Sequence, residues 1–214
     1  MNELINNLAG LLVVTSFLVV IARGVGISAG LYAIQSMVLV LLFCTIAYKY
    51  DAHSLYSWSV TAVLTKVILL PAILFFQLRR LSDPDADKNR FHPLAIASVV
   101  ALLSVASILV VEPVALPLVA DLKPVLAVSL AHFFIGILCI VTNRNILKQL
   151  FGYCLMENGA SLMLALMAHS APHLLEVGIT IDAFFTVIIM VVLSRLVFKN
   201  IQTLDASKLN VLKG

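Results

Sequence analysis

Seven apolar stretches, each about twenty residues long, follow one another along this chain with little between them. A helix needs about 20 apolar residues to cross roughly 30 Å of hydrocarbon. The stretches cover about 4–22, 27–48, 57–78, 93–111, 124–142, 146–168 and 177–198. Lipid admits only helices or closed barrels, because no water satisfies a bare backbone group. These runs are too long and too continuously apolar for alternating barrel strands. The expected fold is therefore all-α, a polytopic membrane protein of seven transmembrane helices. Composition agrees: 12% of the 214 residues are charged and mean hydropathy is +1.08, against about 25% charged in soluble domains.

The net charge of +3 is set by topology and does not point to nucleic acid. On alternate loops, one side holds Arg23, Arg79, Arg80, Lys88, Arg90 and Arg144, with Lys148 at a helix start and Arg195, Lys199, Lys208 and Lys213 at the C-terminal end. The other side holds Lys49 and Lys123. Basic residues collect on the cytoplasmic side. The expected N-terminus is thus periplasmic and the C-terminus cytoplasmic, which needs an odd number of spans. Met1, Asn2 and Glu3 lack the basic start of a signal peptide.

Four regions are expected: 1–80 as an N-terminal three-helix module, 81–123 as a cytoplasmic loop, fourth helix and connection, 124–198 as a second three-helix module, and 199–214 as a cytoplasmic tail. A shift of 116 residues lays Lys66 on Asp182 and Arg79 on Arg195, a weak parallel repeat. The hydrophilic loop from Leu81 to His92 reads as a solvated linker or a docking loop. Pro71 should kink the third span. Gly26 and Gly30 are read as sites of close helix contact.

Three ionisable residues lie within the spans: Lys66, Glu157 and Asp182. A charge at the bilayer centre costs at least ~2.5–3.5 kcal/mol, so such residues are rare and usually functional. Glu157 is the sharpest candidate for a proton path. Asp182 either joins it or lies at the interface. Lys66 either relays protons or forms a structural ion pair. His132, in mid-span, either joins the relay or is a satisfied core residue. His53, His92, His169 and His173 fall at segment ends, so a pair of haem ligands at matched depth is not expected. Cys44, Cys139 and Cys154 are scattered through the spans, without the clustering of an iron–sulfur site. Neither a dinucleotide fingerprint nor a Walker A or HExxH motif occurs. No cofactor or metal is expected.

The stretch from Asn143-Arg144-Asn145 through Leu150-Phe151-Gly152 to Glu157-Asn158 resembles the second helix of the NuoK-type subunit of bacterial complex I and its MrpC-type relatives in Mrp antiporters. Those subunits carry an essential glutamate on this helix and a second acid on the next, which corresponds to Asp182. The resemblance covers about residues 124–198. One departure is plain: where those subunits have their glutamate, two residues after the glycine, this chain has Cys154, and the acid follows at Glu157. Three residues is about 4.5 Å along the helix axis and 60° short of a full turn. The whole chain resembles the hydrogenase-4 component E (HyfE) family. That resemblance implies a non-catalytic inner-membrane subunit of a complex-I-related nickel–iron hydrogenase of the formate hydrogenlyase type. It would sit beside antiporter-like subunits, with a proton path through Glu157, Asp182, Lys66 and His132. The alternatives are a scaffold or assembly subunit whose polar residues only fasten helices, and an independent small transporter, for which an inverted repeat would be the sign.

Overall fold

A computed structural model of the chain describes residues 1–78, 91–114, 121–167 and 173–210. Side chains of 76–78, 173–177, 209–210 and several positions of the last helix, Asp182 among them, fall outside the described set. So do Arg79, Arg80, Lys88, Arg90 and Lys213, most of the 81–92 loop, Pro117 and His169.

Seven helical passes form one bundle. They are α1 (Asn2–Ile21), α2 (Val25–Tyr50), a composite third pass, α5 (Pro93–Val111), α6 (Lys123–Thr142), α7 (Ile146–Met167) and α8 (His173–Ile201). The third pass joins α3 (His53–Ala62), a π-helical segment (Val63–Leu69) and α4 (Leu70–Leu78). Six passes among the described residues are long and apolar enough to cross a membrane. The chain is an all-helical, multi-pass membrane protein. Its sole bridge between extended segments, among the described residues, joins Asn145 to Asp205.

The third pass widens at Pro71. Leu70 N–H donates to Thr65 O, five residues back. Pro71 has no N–H to offer residue 67, and its ring crowds that carbonyl. A turn opened to i→i−5 accommodates both. The expected kink is thus realised as a π-helical segment, and Lys66 lies within it.

The tightest contact in the bundle is between α6 and α7. A Cβ added at Gly136 would lie 2.7 Å from Gly152 O, one at Gly152 2.8 Å from Gly136 O, and one at Gly159 2.5 Å from Phe133 N. Small residues let helix backbones approach where lipid offers no hydrophobic drive. Gly26 and Gly30 have nothing within 4 Å of an added Cβ. The sequence-based expectation for them is corrected: both face open space. Gly159→Ala should therefore force α6 and α7 apart, and destabilise beyond the usual overpacking cost of about 1–3 kcal/mol, because backbone has to move. Gly30→Ala should be silent. Thermal unfolding in detergent checks this, and equal melting temperatures for the two variants would contradict it.

One end of the bundle is tied together by hydrogen bonds. Ile146 N–H donates to Leu204 O at 3.0 Å, and Ala206 N–H to Arg144 O at 2.9 Å. These bonds lay the segment after α8 on the α6–α7 turn. Asn145 Oδ1 accepts from Leu147 N–H at 2.8 Å and caps α7. The Lys148 ammonium, on a residue only 2% exposed, donates to Ala22 O at the end of α1. A cation there complements the helix dipole and its bare carbonyls. Lys148, expected at a helix start, is thus a buried structural cation in the first turns of α7. Burial works to raise the Asp205 carboxyl, but donation from Ser207 and the charges of Arg144 and Lys208 hold it below the ordinary aspartate range.

Candidate functional site

The candidate site lies where the π-helical segment meets α7. Lys66 Nζ donates to Glu157 Oε1 at 2.8 Å and to Ser161 Oγ at 3.2 Å. Ser161 Oγ donates to Glu157 Oε1 at 3.0 Å. Glu157 and Ser161 are four residues apart, which places them on one face of α7. The two charged side chains are 9% and 12% exposed. Neither charge sits in the bilayer alone: each offsets the desolvation cost of the other, helped by the serine. Two of the residues singled out in the sequence are therefore directly joined.

Asn158, the next residue, faces the other way around α7. Its amide nitrogen donates to Gln35 Oε1 at 2.9 Å and also lies within reach of Tyr32 Oη and Ser36 Oγ. Gln35 Nε2 reaches His132 Nε2 at 3.2 Å, and His132 Nδ1 reaches Ser16 Oγ at 2.7 Å. Ser16 directs its own proton to Leu12 O at 2.6 Å. His132 Nδ1 must then be the donor to Ser16, and Nε2 the acceptor from Gln35. Both ring nitrogens are occupied, and the string of bonds ends on a helix carbonyl. Ser16, Gln35, His132 and Asn158 are all 0% exposed, so the string ties α1, α2, α6 and α7 together through the core. This arrangement makes His132 a satisfied core histidine.

Asp182 stands at the tenth position of α8, which begins at His173. That is about 14 Å along the helix, deeper than the sixth place expected from the sequence. The π segment, Ser161, Gln35 and Tyr32 were not anticipated. Gln35-Ser36, a polar pair inside an apolar run, was the signal for part of this network. Cys139 and Cys154 are buried and Cys44 is half-buried, all three free thiols. No group of three or more potential metal ligands occurs among the described residues.

Hydrogenase-4 component E of Escherichia coli K12 is 47% identical over 211 residues, 99% of this chain and 98% of that protein. The proteins of that description in E. coli O157:H7 and Shigella flexneri match to the same extent. The chain belongs to the hydrogenase-4 component E family. The profile of a second family, NADH-ubiquinone/plastoquinone oxidoreductase chain 4L, matches residues 124–214. That match spans α6, α7 and α8, and so includes Glu157, Ser161 and Asp182. Lys66 lies outside it. In this component E relative the acid of the chain-4L-like part is paired with a lysine from the N-terminal part. No solved structure matches the chain.

Proposed function

We propose that this component E relative is a non-catalytic membrane subunit of a complex-I-related nickel–iron hydrogenase, formate-linked, and that it contributes to proton translocation beside antiporter-like subunits. The buried Lys66–Glu157–Ser161 cluster carries the reading. An ammonium and a carboxylate 2.8 Å apart exchange a proton over one hydrogen bond, and the Ser161 hydroxyl offers a second donor on the same oxygen. A change of charge in a neighbouring subunit would shift the balance between paired and separated states. Asp182, one helix on, is the proposed next acid. The closed bonding of His132 leaves it without a spare position, so we assign it to holding the relay's frame and take it out of the proton path.

The packing of α1 on α6 and of α2 on α7 supports two like modules arranged side by side. The scaffold alternative draws on the network from Ser16 to Asn158, which fastens α1, α2, α6 and α7.

The experiment compares membranes with and without the chain, and with Glu157 replaced, at matched content of the other hydrogenase subunits. Hydrogen-linked proton translocation should depend on the chain and on Glu157. Translocation unchanged by both would end the proposal. Orientation is proposed from the basic residues: the ends carrying Arg23, Arg144 and Lys208 lie together and face the cytoplasm. A C-terminal reporter active only in the cytoplasm should be active. Activity instead from a periplasm-only reporter would reverse the topology.

A further inference from the structure

Between α1, α5 and α6 runs an apolar groove of about 460 Å³. Its floor and walls include Val13, Ser104, Ile108, Ala127 and Ala131. Along α6 it extends from Pro124 to Ala131, about 10 Å of helix axis. Helix α5, which forms one wall, exposes Leu102, Val105 and Leu109, so the groove is reached from the lipid side.

The groove's mouth is charged. It lies where α5 ends at Val111 and α6 begins at Lys123, the level at which apolar helix gives way to headgroups. Glu112 and Lys123 line it. Lys123 Nζ donates to Glu112 O at 3.0 Å, which uses one of its three protons. Glu112 and Asp121 are exposed carboxylates. The sequence between them, 113–120, holds no charge.

We propose that this groove binds one acyl chain of a phosphatidylethanolamine molecule. The remaining Lys123 protons meet the phosphate, and the carboxylate of Glu112 meets the ethanolamine ammonium. The charge pattern selects the headgroup. One cation beside one anion fits a zwitterion whose phosphate is followed by an ammonium better than an anionic glycerol headgroup, which leaves the carboxylate without a cation. The apolar channel below, about 10 Å along α6, supplies a slot for the upper half of the chain at the matching depth. Lipid reaches the slot by lateral diffusion, and the small residues Ala127 and Ala131 leave room for it.

The test uses the full chain in its complex, reconstituted in vesicles. A phosphatidylethanolamine with a photoreactive diazirine in the upper half of one acyl chain is the probe, and crosslinked peptides are mapped by mass spectrometry. Labelling should concentrate on peptides containing 104–112 and 124–131. Unlabelled phosphatidylethanolamine should compete at least about fivefold better than phosphatidylglycerol, a preference of the kind few-fold charge contacts give at a membrane surface. Ala127→Leu, which fills the slot, should remove the labelling. Lys123→Gln, at the surface, tests the headgroup without touching the packing and should erase the preference. Labelling spread evenly over the lipid-facing helices would overturn the proposal. So would equal competition by the two lipids, labelling indifferent to both substitutions, or protein–protein crosslinks showing a neighbouring subunit's helix in the groove.

Discussion

Glu157→Gln should leave the complex assembled and lower proton-coupled turnover by about 100-fold or more, the lower end of what a positioned proton-transfer group contributes. Glutamine keeps the size of glutamate and can accept from Lys66 and Ser161 as Glu157 Oε1 does now. It cannot release or bind a proton. A residue that only fastens helices should tolerate the change. Asp182→Asn should show a similar loss, and the double variant should be little worse than either single one, since groups acting in series fail as a unit. Proton translocation and hydrogen turnover are measured together in membranes of matched complex content. Wild-type coupling in Glu157→Gln would reject the relay.

Removing one partner of the Lys66–Glu157 pair together with its hydrogen bonds, which Glu157→Gln retains, should have the largest effect on stability. Lys66→Met leaves a carboxylate in an apolar bundle with Ser161 as its remaining donor among the described residues. Breaking a buried pair in this way costs about 3–5 kcal/mol. Replacing both with Met should recover most of that loss, because two packed apolar side chains need no desolvation. Unfolding in detergent by increasing denaturant gives the stability readout. The double variant also separates the two functional readings. A relay predicts a folded subunit that does not couple. A scaffold predicts that coupling returns with stability. Recovery of both would favour the scaffold, and failure of the double variant to regain stability would mean that the pair is not what holds these helices.

The membrane spans were legible because hydrocarbon imposes a one-dimensional rule: a segment crosses if it is long and apolar enough. The expected segments 93–111 and 146–168 correspond to α5 (Pro93–Val111) and α7 (Ile146–Met167). Two starts were each placed four residues late: the third pass, expected at 57 and found at His53, and α8, expected at 177 and found at His173, where Glu176 interrupts the apolar run. Hydropathy alone does not report how far a helix continues past the apolar core, and that shift carries Asp182 deeper into its helix.

Glu157 and Lys66 were visible as charges out of place, because a bare charge in lipid is costly wherever it occurs. That they meet was not visible. They are 91 residues apart in sequence, and only the bundle sets α7 beside the π segment opened by Pro71. Two misses share this cause. Gly26 and Gly30 offered the small-residue spacing of a tight contact, yet the contact fell to Gly136, Gly152 and Gly159. Lys148 was placed at a helix start, but nothing in the sequence showed that its ammonium closes the end of α1. The sequence by itself determined which segments are long and apolar enough to cross a membrane, roughly where they lie, and which residues cannot lie against lipid uncompensated, since each of these is a property of a segment against its solvent. Which partner compensates each one depends on helix rotation and neighbour choice. Lipid is equally favourable to every apolar face, so only close backbone packing and polar pairing, both tertiary, made that choice.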